Sequence, residues 1–303
     1  MKAYIKKKLD AFIKNSYWYN EVAFKDCRKF WELDENEIEV INLGSSSGAY
    51  DFDYTDIPLK GMNWAVAPQS MVGDFAILKQ YESRLKKGAT IIYPLCPFTS
   101  ISGAEEYVED RCYSFMNYEM IPHAHYIRYA KIMQMKENPL LFYPLMSFVM
   151  ELKKKLFIRS GQNVIIDNKQ LKRNAETILY GWKKQFKLDD LSQPFDGHNQ
   201  MIYEKGVHLL KEIVLFCKEH GYRLVIVIPP MYKALATLFS SSDRENLIDG
   251  FIRAGIDDPV EYYNMMDDKQ FSEDSSFFIN SYYLNSKGAK EYTKYLLKKI
   301  QLL

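Results

Sequence analysis

The sequence is sparing with the residues that mark specialised proteins. Its four cysteines, Cys27, Cys96, Cys112 and Cys217, stand far apart and form no CxxC pair. That spacing indicates neither a zinc site nor a redox motif, and it fits a reducing compartment. No stretch approaches the roughly 20 apolar residues that a membrane span needs. The longest greasy run, Pro139–Met150, is interrupted by Pro144. Residues 1–13 are charged and lack a continuous apolar core, so they do not read as a signal peptide. Net charge is only +1, from 40 basic and 39 acidic residues, without the clustered basic excess of a nucleic-acid binder. The triplets Lys6-Lys7-Lys8 and Lys153-Lys154-Lys155 read as solvated helix faces. These absences point to a cytoplasmic chain with no metal, no cofactor, no nucleic-acid partner and no membrane span.

Aromatic residues are plentiful at 15%, including 23 Tyr and 18 Phe. They suit Tyr-rich packing, or an aromatic-lined groove for a carbohydrate. With 303 residues, 47% of them apolar, the chain can bury about three-quarters of its unfolded surface without a disulfide or metal staple.

Apolar spacing predicts amphipathic helix over residues 1–37, in two pieces. The period then changes. Glu39–Leu43 is a β-prone run ending in Gly44-Ser45-Ser46-Ser47-Gly48. A second strand is expected at Met62–Val66, then a helix started by Pro68 or Ser70 and stopped at Lys86-Lys87-Gly88, then a third strand at Thr90–Leu95. Strand, helix, strand in this order is the βαβ unit of a parallel sheet. Residues 100–195 break the rhythm and read as a largely helical insertion, with helices at 125–137, 140–158 and 168–186. The rhythm returns with a helix over 199–220, capped by Gly221 and carrying Ile202, Leu209, Leu210, Ile213, Val214 and Cys217 inward. Arg223–Ile228 is a buried parallel strand ending in Pro229-Pro230. A helix at 242–254, a short strand at Val260–Met265 and a C-terminal helix from Asn285 or Ser286 complete the pattern. The expected fold is a three-layer α/β sandwich with a mostly parallel sheet. It forms a single domain over 1–303, with a helical N-terminal segment and a helical insertion.

Ligands of open α/β sheets bind beyond the carboxyl ends of the strands. Those ends are Gly44–Gly48, Ala67–Gln69, Pro94–Thr99 and Pro229–Tyr232, with Asn280–Gly288 before the last helix. A serine at a strand-to-helix turn presents its hydroxyl outward where backbone N–H groups stabilise an oxyanion, although serine there also serves as a plain turn residue or N-cap. Cys96, in an apolar run, reads as a small buried hydrophobe. Of the five histidines, His198 follows Asp196 at a helix start, and His208 and His220 read as helix-face residues. His123 and His125 alternate as in an extended strand and lack further ligands at metal spacing.

Leu43-Gly44-Ser45-Ser46, together with Asn280 to Ala289, resembles the SGNH (GDSL-type) hydrolase superfamily. The nearest branch is that of surface-polysaccharide and teichoic-acid acyl-transfer proteins. The resemblance covers about 38–98 and 199–300 and includes the Asn63–Gln69 block and the Val225–Pro230 strand. It implies a flavodoxin-like sheet and a nucleophile at Ser46. Donors from Ser45, Ser47 or Gln69 would serve an oxyanion or a substrate. The family's last block reads Asp-x-x-His, and here those positions hold Asn280 and Tyr283. A serine without a base is a poor nucleophile, and a phenol of pKa about 10 does not take its proton at neutral pH. The implied function is an esterase or acyltransferase of polysaccharide modification, acting through Ser46 on acylated cell-surface carbohydrate with altered catalysis. The alternatives are a relocated base, for which His198 is the best substitute, or a non-catalytic binder or scaffold of the same fold. The expected partner is a small-molecule or carbohydrate ester ligand.

Overall fold

The computed structural model describes residues 2–149, 167–257 and 259–303. Five strands form one all-parallel sheet: β1 (Ile38–Asn42), β2 (Gly61–Asn63), β3 (Leu85–Pro94), β4 (Arg223–Ile228) and β5 (Glu261–Asn264). Their spatial order is β2-β1-β3-β4-β5. The most apolar runs take the centre. Ile41 pairs with Met62 on one side and Ile91 on the other, and Ile92 sits between Asn42 and Val225.

Side chains alternate between the two faces of each strand. On one face Val40, Ile92, Val225 and Val227 pack with Tyr292, Leu296 and Leu297 of the C-terminal helix, Ser286–Lys299. On the other, Tyr93 reaches the helix Met71–Tyr81, where its hydroxyl donates to Asp74. Helices therefore flank the sheet in the expected three-layer α/β arrangement.

Several boundaries differ from the sequence reading. The helix that begins at Met71 ends at Tyr81, and a 3-10 turn (Glu82–Arg84) leads straight into β3. Lys86-Lys87-Gly88 is thus strand, not helix stop; the exposed start of β3 tolerates lysines. β2 is shorter than expected, because the Ala65 N–H turns inward to donate to Asn63 Oδ1. Leu209 is only partly buried. His123 has φ +53° in a turn and His125 directly precedes the helix Tyr126–Glu137, so the two do not form a strand. Ser70 caps its helix by accepting the Gly73 N–H, and Asn285 caps the last helix by accepting the Gly288 N–H. The expected 168–186 helix spans Asn168–Phe186, closed by an Asp167 capping box. The one expected at 140–158 lies largely outside the described residues.

The chain divides into two compact units. One joins Glu35–Tyr107 to Val164–Leu303 and holds the whole sheet. The other joins Met1–Asp34 to Val108–Asn163, uniting the N-terminal helical segment with the first part of the region read as an insertion. Its described elements are helical, and its interior is aromatic, with Phe30 stacked on Phe115 at 4.3 Å and Phe24 edge-on to Trp31 at 5.3 Å. Among the described residues no helix is long and apolar enough to cross a membrane.

Candidate functional site

In the order β2-β1-β3-β4-β5 the chain reverses direction across the sheet between β1 and β3. The strand ends there diverge and open a crevice. A cavity of about 350 Å³ occupies this point, within the range of small-ligand sites.

Its first wall is the serine turn. Gly44 has φ +104°, and a Cβ there would lie 2.9 Å from the Pro94 carbonyl oxygen, so only glycine lets β1 turn against the end of β3. Ser46 starts the short helix Ser46–Asp51 and is partly exposed to the cavity. Ser45 does not cap that helix. Its Oγ instead accepts the Gln69 N–H at 3.0 Å, tying the serine turn to the block after β2. An amide pair, Asn42 buried and Asn63 half-buried, supports the helix from below. Asn42 Nδ2 donates to the Gly48 carbonyl at 3.0 Å and to Asn63 Oδ1 at 3.2 Å. Asn63 Nδ2 donates to the carbonyls of Gly48 (2.9 Å) and Phe52 (3.1 Å). Asn63→Leu leaves these largely buried partners without their hydrogen bonds. It is expected to cost about 2–3 kcal/mol, seen as a lower urea midpoint with unchanged slope.

The second wall is the segment before the last helix. Asn280 Oδ1 accepts the N–H groups of both Tyr282 and Tyr283 at 2.8 Å, so this side chain shapes its own turn and orients no base. The turn presents two phenols to the serine block. Tyr283 sits beside Ser46, and Tyr282 beside Ser47. Burial pushes the Tyr283 phenol up to about 12 and holds Tyr282 well above the ordinary phenol range. Asp51, at the end of the serine helix, accepts the Leu284 N–H at 2.8 Å and locks the two walls together. Burial holds its carboxyl well above the ordinary carboxylate range.

Ser45, Ser46, Ser47, Gln69 and Tyr283 therefore meet around one cavity. Gln69 packs its amide over Gly73, where a Cβ would lie 2.3 Å from Gln69 Cδ. His198 lies elsewhere. It is the second residue of the helix Gly197–Glu219, its side chain is 64% exposed, and its Nε2 lies 3.7 Å from Glu105 Oε1 beside a neighbouring cleft. His208 pairs with Glu212 and His220 with Glu82. His123 and His125 belong to the helical unit. No histidine is among the described residues that line the Ser46 cavity.

Other lining residues escaped the sequence reading. Cys96 is partly exposed rather than buried; it lines the cavity, where it accepts a hydrogen bond from Thr99 Oγ1 at 3.3 Å. Trp182 and Phe186 bring an aromatic wall from the helix Asn168–Phe186, with Trp182 edge-on to Tyr282 at 4.9 Å. Asp74, 3% exposed, lines the cavity, with the Tyr93 hydroxyl donating to its Oδ2 at 3.3 Å. Its Oδ1 has no hydrogen-bond partner. Burial raises this carboxyl to about 7. The one signal in the sequence was an acid standing alone in the run Met71–Leu78. Among the described residues no group of three or more His, Cys, Asp or Glu could hold a metal ion.

No protein-family model matches the chain, and no curated protein matches it significantly.

Proposed function

We propose that the chain is an SGNH-like protein whose cavity binds an acylated carbohydrate and in which hydrolysis through Ser46 is lost or strongly impaired. One observation carries this reading: the titratable side chain beside Ser46 is a phenol raised to about 12, and no histidine is among the described residues that line the cavity. A general base works best with a pKa near the working pH, and a phenol that holds its proton this firmly leaves the serine hydroxyl unactivated. Hydroxyls from Ser46, Ser47, Tyr282 and Tyr283 and the rings of Trp182 and Phe186 offer the mixed polar and aromatic lining that suits a sugar.

A fluorophosphonate probe, read by mass spectrometry, tests it. The expected result is no adduct at Ser46 above the level of a denatured control. Rapid labelling at Ser46, abolished in Ser46→Ala, would instead establish the serine esterase or acyltransferase reading, with a base other than Tyr283.

A further inference from the structure

The cavity has a pronounced charge asymmetry. No lysine, arginine or histidine is among its described lining residues, while two carboxyl side chains, Asp74 and Glu105, are. An anionic ligand would meet no counter-charge there. Asp74 differs from an ordinary surface acid in two ways. It is buried, and one of its oxygens has no hydrogen-bond partner although the other is engaged by Tyr93. A buried carboxyl oxygen left unpaired is costly unless a donor from outside the chain completes it. The aromatic faces of Trp182 and Phe186 on the same cavity favour a cation rather than an anion.

We propose that the cavity recognises a ligand carrying a protonated amine, held by the Asp74 carboxyl, whose Oδ1 has no partner within the described chain. With the carbohydrate reading above, on which this identification of the class rests, the ligand is an amino sugar. The ammonium supplies the donor that Asp74 lacks, and its charge favours the ionised carboxylate. A neutral sugar of the same shape satisfies the hydrogen bond less well and leaves the negative charge uncompensated. Glu105, at 50% side-chain exposure and beside His198, contributes only a screened, longer-range attraction.

The test is calorimetric titration of the whole chain with three probes: glucosamine, glucose and 2-aminoethanol. Glucosamine is expected to bind at least ten-fold more tightly than glucose. Asp74→Asn should bring its affinity down to about that of glucose for the same variant. A circular-dichroism melt confirms that the variant is folded. Equal binding of the two sugars overturns the proposal and leaves the carbohydrate reading standing. Binding of 2-aminoethanol with neither sugar supports recognition of the amine and removes the carbohydrate reading. If none of the three binds, both fall.

Discussion

Asp74→Asn is expected to stabilise the protein at pH 8 by as much as about 4 kcal/mol. Burial raises the Asp74 carboxyl from 3.8 to about 7. Each pKa unit corresponds to about 1.4 kcal/mol of preference between protonation states, and the shift is about three units. The sign follows from linkage. At low pH both folded and unfolded chains carry the proton and Asp74 costs nothing. As the pH rises from about 4 the unfolded chain releases its proton while the folded chain keeps it, so stability falls, and the loss levels off above about 7. An asparagine keeps an acceptor for the Tyr93 hydroxyl and removes the titration. Urea unfolding at pH 5 and pH 8 should show the advantage of the variant growing between the two. A parallel pair of curves would mean that Asp74 is ionised and well solvated in the folded protein. A group that weakens the fold at neutral pH, yet lines the cavity, fits a site shaped for a partner rather than for stability.

Gly48→Ala is expected to cost about 3 kcal/mol or more. A Cβ at this position would lie 2.3 Å from the Leu43 carbonyl oxygen and 2.8 Å from Ala65 Cβ. Neither obstacle is the far end of a flexible side chain. The serine helix would have to lift off β1, and the Gly48 carbonyl would leave Asn42 and Asn63. Gly221→Ala is the control. Gly221 has φ +70° but nothing within 4 Å of a new Cβ, so only the backbone penalty of about 1 kcal/mol applies. Thermal melts of the two variants should separate widely. Similar losses would show that the serine turn yields easily.

The sheet was the most legible part of the sequence, for a physical reason. β1, β3 and β4 are buried on both faces, and continuous apolar runs such as Leu224–Ile228 have few other uses in a chain of this size. β2 was harder to bound, because an edge strand is ended by a side-chain hydrogen bond, here from Asn63, rather than by composition. The helix ending at Tyr81 was overextended because a lysine pair followed by glycine looks like a C-terminus wherever it occurs, and here it opens a strand. The serine and tyrosine blocks could be placed on one site because both sit at ends of recognisable elements. Asp74 and Trp182 could not. Their roles depend on which helix faces which strand end, a tertiary fact with no local pattern. Asn280 shows the converse: its place in the motif was visible, but its side chain is spent on two backbone N–H groups of its own turn.

Beside the Asp51 carboxyl that accepts the Leu284 N–H, the two blocks meet through alcohols: Ser46 against Tyr283 and Ser47 against Tyr282. Such groups keep their protons from acid to mildly alkaline solution, and they carry no charge for salt to screen. That part of the mouth should therefore hold one shape across conditions in which Asp74 gains and loses a charge. Occupancy would then respond to acidity through the strength of a single contact, with the frame around it standing still.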